Sequence, residues 1–399
     1  MKHAVVIIGG GLVGAATAYY LTRAGCAVAL IEQGEINNGA SGQNAGSLHF
    51  QMEHRLIEHG DALAELAATI MPLSLDAISR WGGIEAELDQ RDLDIVMHGG
   101  LMLAETPEQV AKLERKRRLE ERWGLPTRLM DKSELLATAP YLGPTAVAAS
   151  YCPVEGHGNA RLITAALVRA ALVTGHLDLF TQCAVQSTLR QGSRWEVGCI
   201  MQEGMTRTFS CDALLNASGA WAAEVAALAD LHLPVFPVAL SMNATEAAPP
   251  LIGHLLQHVG RRLSMKQLAE GNILLGGGWS ARMVRRGSAF DRNTRPDFRL
   301  DSIRGNIEVA LDVVPALKHL HLLRSWTGTV GITSDGLPIV GEVPQAPGYF
   351  VATGGSAFTL GLTYGALVSE LIVERRTDLD ISLFSPARFG PLNMFMGGA

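Results

Sequence analysis

The 399 residues include 33 Lys+Arg against 39 Asp+Glu, a net charge of −6, and such a length suggests two or three domains with an ample core. A weakly acidic chain lacks the overall electrostatic footprint of a nucleic-acid binder. Its five cysteines, Cys26, Cys152, Cys183, Cys199 and Cys211, are odd in number, widely spaced and contain no CxxC, so no disulfide framework, zinc site or iron–sulfur site is legible and a reducing compartment fits.

Residues 3–22 and 343–369 carry no Asp, Glu, Lys or Arg, and each is long enough on paper for a membrane span. Clustered glycines (Gly9-Gly10-Gly11; Gly354-Gly355) break both, and only Lys2 precedes the first, with no small-residue cleavage site before Arg23. They read instead as buried strand, glycine turn and buried helix.

The first of these stretches opens with the apolar run Ala4–Ile8, the pattern of a parallel strand buried on both faces. Gly9-Gly10-Gly11-Leu12-Val13-Gly14 follows, then an apolar helical pattern to about Ala24, a turn at Gly25, and a second strand Ala27–Ile31 ending at Glu32 and Gln33. In such a βαβ unit Gly9 makes the tight turn, Gly11 lets the backbone approach a pyrophosphate, and Gly14 lets the helix lie close to the strand. The helix start at Leu12 and Val13 offers amide donors and a positive dipole end to phosphates, and Glu32 stands where a carboxylate accepts from ribose hydroxyls. Strand, turn, helix, strand and acid in this order predict dinucleotide binding and leave NAD and FAD open.

The next segment separates the two. Gly39-Ala40-Ser41-Gly42-Gln43-Asn44-Ala45-Gly46 is small, polar and turn-forming, and it resembles the stretch after the ribose acid in the D-amino-acid-oxidase-like flavoprotein superfamily. In that family the stretch runs beside the pyrophosphate and the flavin ring, which implies cofactor contacts from Ser41, Gln43, Asn44, Ala45 and Gly46.

Further along, residues 53–81 read as helical with a kink or break at Pro72, and 108–123 as a charge-rich helix with a solvated face. Tyr151–Gly158 is turn-rich and leads into a helix at about 160–174; its His157 lies near the site or in a surface turn. The strand Ala213–Asn216 ends in Ala217-Ser218-Gly219-Ala220-Trp221, a small-residue turn that brings a third segment to the carboxyl edge of a Rossmann-like sheet. The superfamily has a similar turn there, implying contacts from Ser218, Gly219 and Trp221, and from Val185 upstream. Residues 234–326 read as β-rich, with strands opened by Pro234 and Pro237 and at 272–278; alternation across 261–267 puts Lys266 and Gln267 on opposite faces. Seven arginines lie within 282–304, read as a solvated loop, with phosphate or partner binding as the alternative.

Gly331-Ile332-Thr333-Ser334-Asp335-Gly336-Leu337-Pro338-Ile339-Val340-Gly341 resembles the superfamily's last hallmark, followed by Thr353-Gly354-Gly355-Ser356-Ala357-Phe358-Thr359-Leu360 and a helix to about Glu374. The resemblance implies that Asp335, Gly336 and Pro338 pass the flavin and that Gly355, Ser356, Ala357, Phe358, Thr359 and Leu360 face its pyrimidine end, with Thr359 where a glycine is usual. It implies a fold of α/β plus α+β class: a Rossmann-like (GR2-type) FAD-binding domain at 1–85, 146–222 and 325–399, and a discontinuous β-rich substrate domain at 86–145 and 223–324.

Leu263–Gln267, Gly276-Gly277-Gly278-Trp279 and Trp326-Thr327-Gly328 narrow the resemblance to the β (FAD) subunits of heteromeric amine dehydrogenases. The expected activity is FAD-dependent oxidation of a C–N bond, with hydride passing from the amine-bearing carbon to flavin N5 and the imine then hydrolysed. A small secondary or primary amine, first an opine such as octopine or nopaline, is the expected substrate. Hydrogen cyanide synthase, a D-hydroxyproline or proline dehydrogenase subunit, and a self-sufficient glycine or D-amino-acid oxidase are the alternatives; a non-catalytic flavin-binding scaffold is the rival from another class. The expected partner is an α subunit carrying FAD or FMN, iron–sulfur or a cysteine-rich centre, with FMN at the subunit interface. No metal and no nucleic acid are expected, and the location is cytoplasmic, reaching the inner membrane only through the complex. FAD should be non-covalent, because no cysteine lies beyond Cys211 for the carboxyl-terminal link of some relatives. Residues 327–334 hold no arginine where simple D-amino-acid oxidases grip the substrate carboxylate, leaving that clamp unassigned. Lys266, Gln267 and His49 are the candidate catalytic side chains on the flavin side.

Overall fold

Val5–Ile8 and Val28–Ile31 are aliphatic runs buried along their whole length, as parallel strands covered on both faces require. In the computed structural model, which describes residues 2–390 and 392 except 203, 288 and 292, they lie in a six-stranded sheet. Its order is Ile339–Glu342, Tyr349–Thr353, Ala213–Asn216, Val5–Ile8, Val28–Ile31, Leu177–Phe180, all pairs parallel except the first. Val6 and Ile8 point into a core shared with Trp195, Val197 and Phe209 of a three-stranded antiparallel meander. The helix Leu12–Arg23 lies against Ile163–Val173 and Gly361–Val373. Gly361 and Gly365 make that last approach close, since a Cβ on either would press into Leu12 or Ala16. These elements form one unit, Met1–Gln43, Ala160–Val238 and Thr329–Ala399.

The second unit comprises Asn44–Asn159 and Ala239–Gly328. Residues 44–85 and 146–159 thus cluster here, and 223–238 with the first unit. The cause is visible at Ser47–Leu48, which pairs antiparallel with Gly156–His157, and at Phe50 and Gln51, whose amides donate to the Glu155 carboxylate. An eight-stranded mixed sheet runs in the order Leu322–Thr333, Val235–Ala247, Asn272–Gly276, Ser264–Gln267, Leu255–His258, Gly100–Ala104, Ala148–Cys152, Arg128–Asp131. One face carries Leu101, Leu103, Met265 and Leu275 against Ala310 and Val313 of the helix Leu300–Val313. On the opposite face Met102 and Ala104 meet Leu113 of the helix Pro107–Arg122.

That helix at 300–313 falls inside the stretch expected to be β-rich. Its buried positions include Ser302 and Asn306 as well as Ala310 and Val313, so polar residues interrupt the apolar stripe by which a helix is read. Asn306 is buried because its amide bridges Gly276 O and Asn243 Nδ2, each at 2.8 Å. Pro72 sits in the first turn of Met71–Glu87, where a missing amide costs nothing, and marks a 43° break after Asp61–Ala68. Among the described residues no single helix is long and apolar enough to cross a membrane.

Candidate functional site

The glycine turn of the first unit is built by exclusion. Gly9 has φ +113°, and a Cβ there would lie 2.5 Å from the Ala217 carbonyl; a Cβ on Gly14 would overlap the Gly9 carbonyl itself. Gly11 has ordinary dihedrals, but a Cβ would come 2.9 Å from Ser41 Oγ, the atom that accepts from Leu12 N at 2.9 Å. Val13 and Gly14 occupy the first turn of the helix, where amides have no acceptor within the helix. Glu32 accepts from Gly10 N at 2.7 Å and Gly34 N at 2.8 Å, one bond on each oxygen, which leaves lone pairs for further hydroxyl donors. Gln33 is exposed beside it, and Val185 lies on the strand that follows Cys183, whose amide donates to Glu32 O.

The turn after the strand Ala213–Asn216 abuts Gly9 through Ala217 and meets further glycine segments of this unit. Asn216 Oδ1 accepts from Ser218 Oγ at 2.6 Å and orders the residues after the strand. A Cβ on Gly331 would lie 2.8 Å from the Gly219 carbonyl, which also accepts from Thr353 Oγ1 at 3.3 Å; Trp221 is the nearest neighbour of Gly39. Gly355 lies against Pro338, and Leu360 N donates to Ser356 O, folding Ser356, Ala357, Phe358 and Thr359 into a turn before the last helix. Asp335 has an internal duty: its carboxylate holds Arg388 through two bonds, 2.8 and 3.2 Å, and accepts from Leu337 N, which shapes the turn at Gly336. A backbone-lined anion cradle with a carboxylate one turn away fits the pyrophosphate and ribose of a dinucleotide. Gln43 closes its own turn by donating to Asn38 O.

In the second unit Asn44 accepts from Gly46 N, and Gly46 O accepts from Gly158 N, with Ala45 between them. Lys266 and Gln267, on adjacent positions of one strand, have opposite environments. Gln267 accepts from Leu251 N and Ile252 N and donates to the carbonyls of Ala248, Pro249 and Gly271, all between 2.7 and 3.1 Å. Its amide therefore closes a loop and has no donor left for a ligand. Lys266 is 1 % exposed, and its Nζ has no hydrogen-bond partner among the described residues. Burial holds its pKa well below the usual lysine range, with Asp94 opposing.

His49 shares that face through a 3.0 Å bond between Nε2 and Ser264 Oγ. Burial first, and the Lys266 charge as well, lower it to about 4 against the opposing pull of Glu53. His157 is buried in a strand rather than exposed in a turn; burial and then Lys266 lower it to about 3. Lys266 and His157 line a cavity of about 320 Å³.

One buried polar arrangement escaped the sequence. The helix Pro107–Arg122 has the expected solvated charges at Glu114, Arg117 and Arg118, but Lys116 and Glu120 are fully buried. Lys116 Nζ donates to Gln51 Oε1 and Glu120, each at 2.8 Å; Glu120 accepts from Met52 N, and Glu155 from Phe50 N, Gln51 N and Gln51 Nε2. The network fixes residues 50–52, next to His49. In the arginine-rich segment Arg282, Arg286, Arg299 and Arg304 each pair with a nearby carboxylate, and Arg285 stacks on Phe290, in keeping with a solvated surface; Arg292 lies outside the described residues.

A family model described as FAD dependent oxidoreductase, DAO, matches residues 4–375. The chain is 30% identical over 394 residues to glycine oxidase of Geobacillus kaustophilus, covering 97% of both. It is 26% identical to an opine oxidase subunit of Rhizobium meliloti, covering 96% of this chain and 97% of the relative. The crystal structure of the Geobacillus kaustophilus glycine oxidase superposes with a TM-score of 0.82 at 28% identity, over 96% of this chain and 98% of that one.

Proposed function

The chain belongs to the DAO family of FAD-dependent oxidoreductases, and from that premise we propose that it oxidises the C–N bond of a small amine or amino acid as the catalytic FAD subunit of an opine-oxidase-type complex. The observation that carries the cofactor is the glycine cradle closed by Ser41 and Glu32. When bound, FAD supplies the acceptor for a hydride from the amine-bearing carbon.

The residues divide the remaining work. The first-turn amides at Val13 and Gly14 would hold the pyrophosphate, with Leu12 N engaged by Ser41 Oγ, and Glu32 would accept from the ribose hydroxyls. The backbone at Ser218–Gly219 and Gly355–Leu360 would line the rest of the cofactor. Lys266 and His49 serve the substrate side. Burial disfavours the charged form of both, which lessens repulsion of an amine that sheds its proton on entry, and no separate strong base is required. Gln267 acts by holding its loop. The match to the opine oxidase subunit supports a partner subunit, which on this reading receives the electrons.

The 30% identity to glycine oxidase favours a second reading, a self-sufficient oxidase. Anaerobic mixing of the purified chain with octopine, nopaline, glycine and D-proline separates the two. Bleaching of bound FAD by an opine with little peroxide in air supports the heteromeric reading; rapid peroxide from the lone chain supports the oxidase. A flavin that no amine bleaches, with or without co-expressed neighbours, refutes catalysis.

A further inference from the structure

The cavity beside Lys266 is built entirely by the second unit, and its volume of about 320 Å³ is at the lower end for ligand pockets. Two of its lining groups carry buried nitrogen atoms without hydrogen-bond partners among the described residues, Lys266 Nζ and His157 Nε2. Leaving a buried polar atom unsatisfied is destabilising, and two on one wall mark a place prepared for an acceptor. The remaining wall includes Val96, Ala248, Pro250 and Ile252, which suits a short aliphatic chain. We propose that this cavity binds a small monocarboxylate, its oxygens taken by Lys266 and His157 and its alkyl part by the apolar wall.

This deepens the proposed function and rests on it for the natural ligand, since an amino-acid substrate or its oxo-acid product brings such a carboxylate. The cavity would supply a carboxylate partner in a chain whose residues 327–334 hold no arginine. The titratable groups acting on Lys266 are Asp94, His157 and His49, with His98, His254 and Glu270 around the cavity. Burial disfavours the charged form of Lys266 and a bound carboxylate favours it, so binding draws a proton from solvent onto Nζ and breaks no covalent bond.

The test is titration calorimetry of the purified full chain with propionate at pH 8, in two buffers of different ionisation enthalpy. Propionamide serves as the neutral isostere and chloride as a simple anion. The expected result is propionate binding with net proton uptake, weakened roughly 10- to 100-fold in Lys266→Met with the uptake lost, and weakened less in His157→Gln. Thermal unfolding checks that both variants fold; should Lys266→Met fail, the wild-type proton count and His157→Gln decide. Propionamide binding as tightly as propionate, chloride binding more tightly, no proton uptake, or an unaffected Lys266→Met would each overturn the proposal. The heat signal does not depend on flavin, so a chain that purifies without FAD sinks the functional reading while this titration still decides the cavity.

Discussion

Replacing Lys116 with Met tests the buried network that fixes the segment after His49. Lys116 Nζ gives 2.8 Å bonds to Gln51 Oε1 and Glu120 and a weaker 3.4 Å contact to Ser150 Oγ. Both members of the ion pair are 0% exposed, so water cannot replace the ammonium. Methionine fills nearly the same space, which removes cavity formation from the comparison. What remains is an uncompensated carboxylate on Glu120 that accepts from Met52 N, and breaking a buried pair from one side costs about 3–5 kcal/mol. At roughly 2–4 °C per kcal/mol for a domain of this size, the melting temperature should fall by about 6–20 °C. The Lys116→Met/Glu120→Gln double variant should recover a large part of the loss, because the orphaned charge goes with it while an acceptor for Met52 N stays. Thermal unfolding at pH 7.5 reads both. A drop below about 3 °C in the single variant, or no recovery in the double, would refute the idea that the charges are coupled.

Glu155 gives the network a pH dependence. Burial raises its pKa to about 7 from an ordinary 4.5. The native state therefore keeps a proton that the unfolded chain loses, so stability is full below pH 4.5 and falls as pH climbs to 7, by roughly 3 kcal/mol; Glu155→Gln should flatten denaturant midpoints across that window. Gly14→Ala should prevent folding of the first unit, since its Cβ overlaps the Gly9 carbonyl, and soluble expression reports it. Gly11→Val should leave a folded chain without FAD, seen as lost flavin absorbance with an unchanged circular dichroism spectrum; full retention of FAD contradicts the cradle. Glu32→Ala should weaken FAD retention on dialysis about 10-fold or more by loosening Gly10 and Gly34 together.

The first unit was legible because its information is local. Gly9 and Gly14 answer to backbone contacts that no side chain survives, and Ala213–Asn216 is a strand both in the sequence pattern and in the sheet. The second unit depends on pairings between distant segments. Lys116 and Glu120 stand four apart in a run of charges, the spacing of an ordinary exposed helix pair, and nothing local says that Gln51 and Glu155 will bury them. The helix Leu300–Val313 stayed hidden because Asn306 occupies its core face. Alternation put Lys266 and Gln267 on opposite faces, but the loop that engages every polar atom of Gln267 closes from Ala248 to Ile252, beyond any sequence window.

The two buried lysines of the second unit show how structure and function separate. Both are almost wholly removed from water, yet Lys116 has a carboxylate, an amide oxygen and a hydroxyl around it, whereas Lys266 has none in bonding range among the described residues. A chain under selection for stability alone would satisfy or replace the second amine, since a methionine there would remove the desolvation penalty. Its retention beside His157, on the wall of a cavity, is a local inconsistency of the kind proteins keep where a ligand resolves it. On this argument Lys266→Met should stabilise the chain to heat while weakening its hold on carboxylates, and Lys116→Met should do neither. A Lys266→Met variant that loses stability as Lys116→Met does would place Lys266 in the architecture instead.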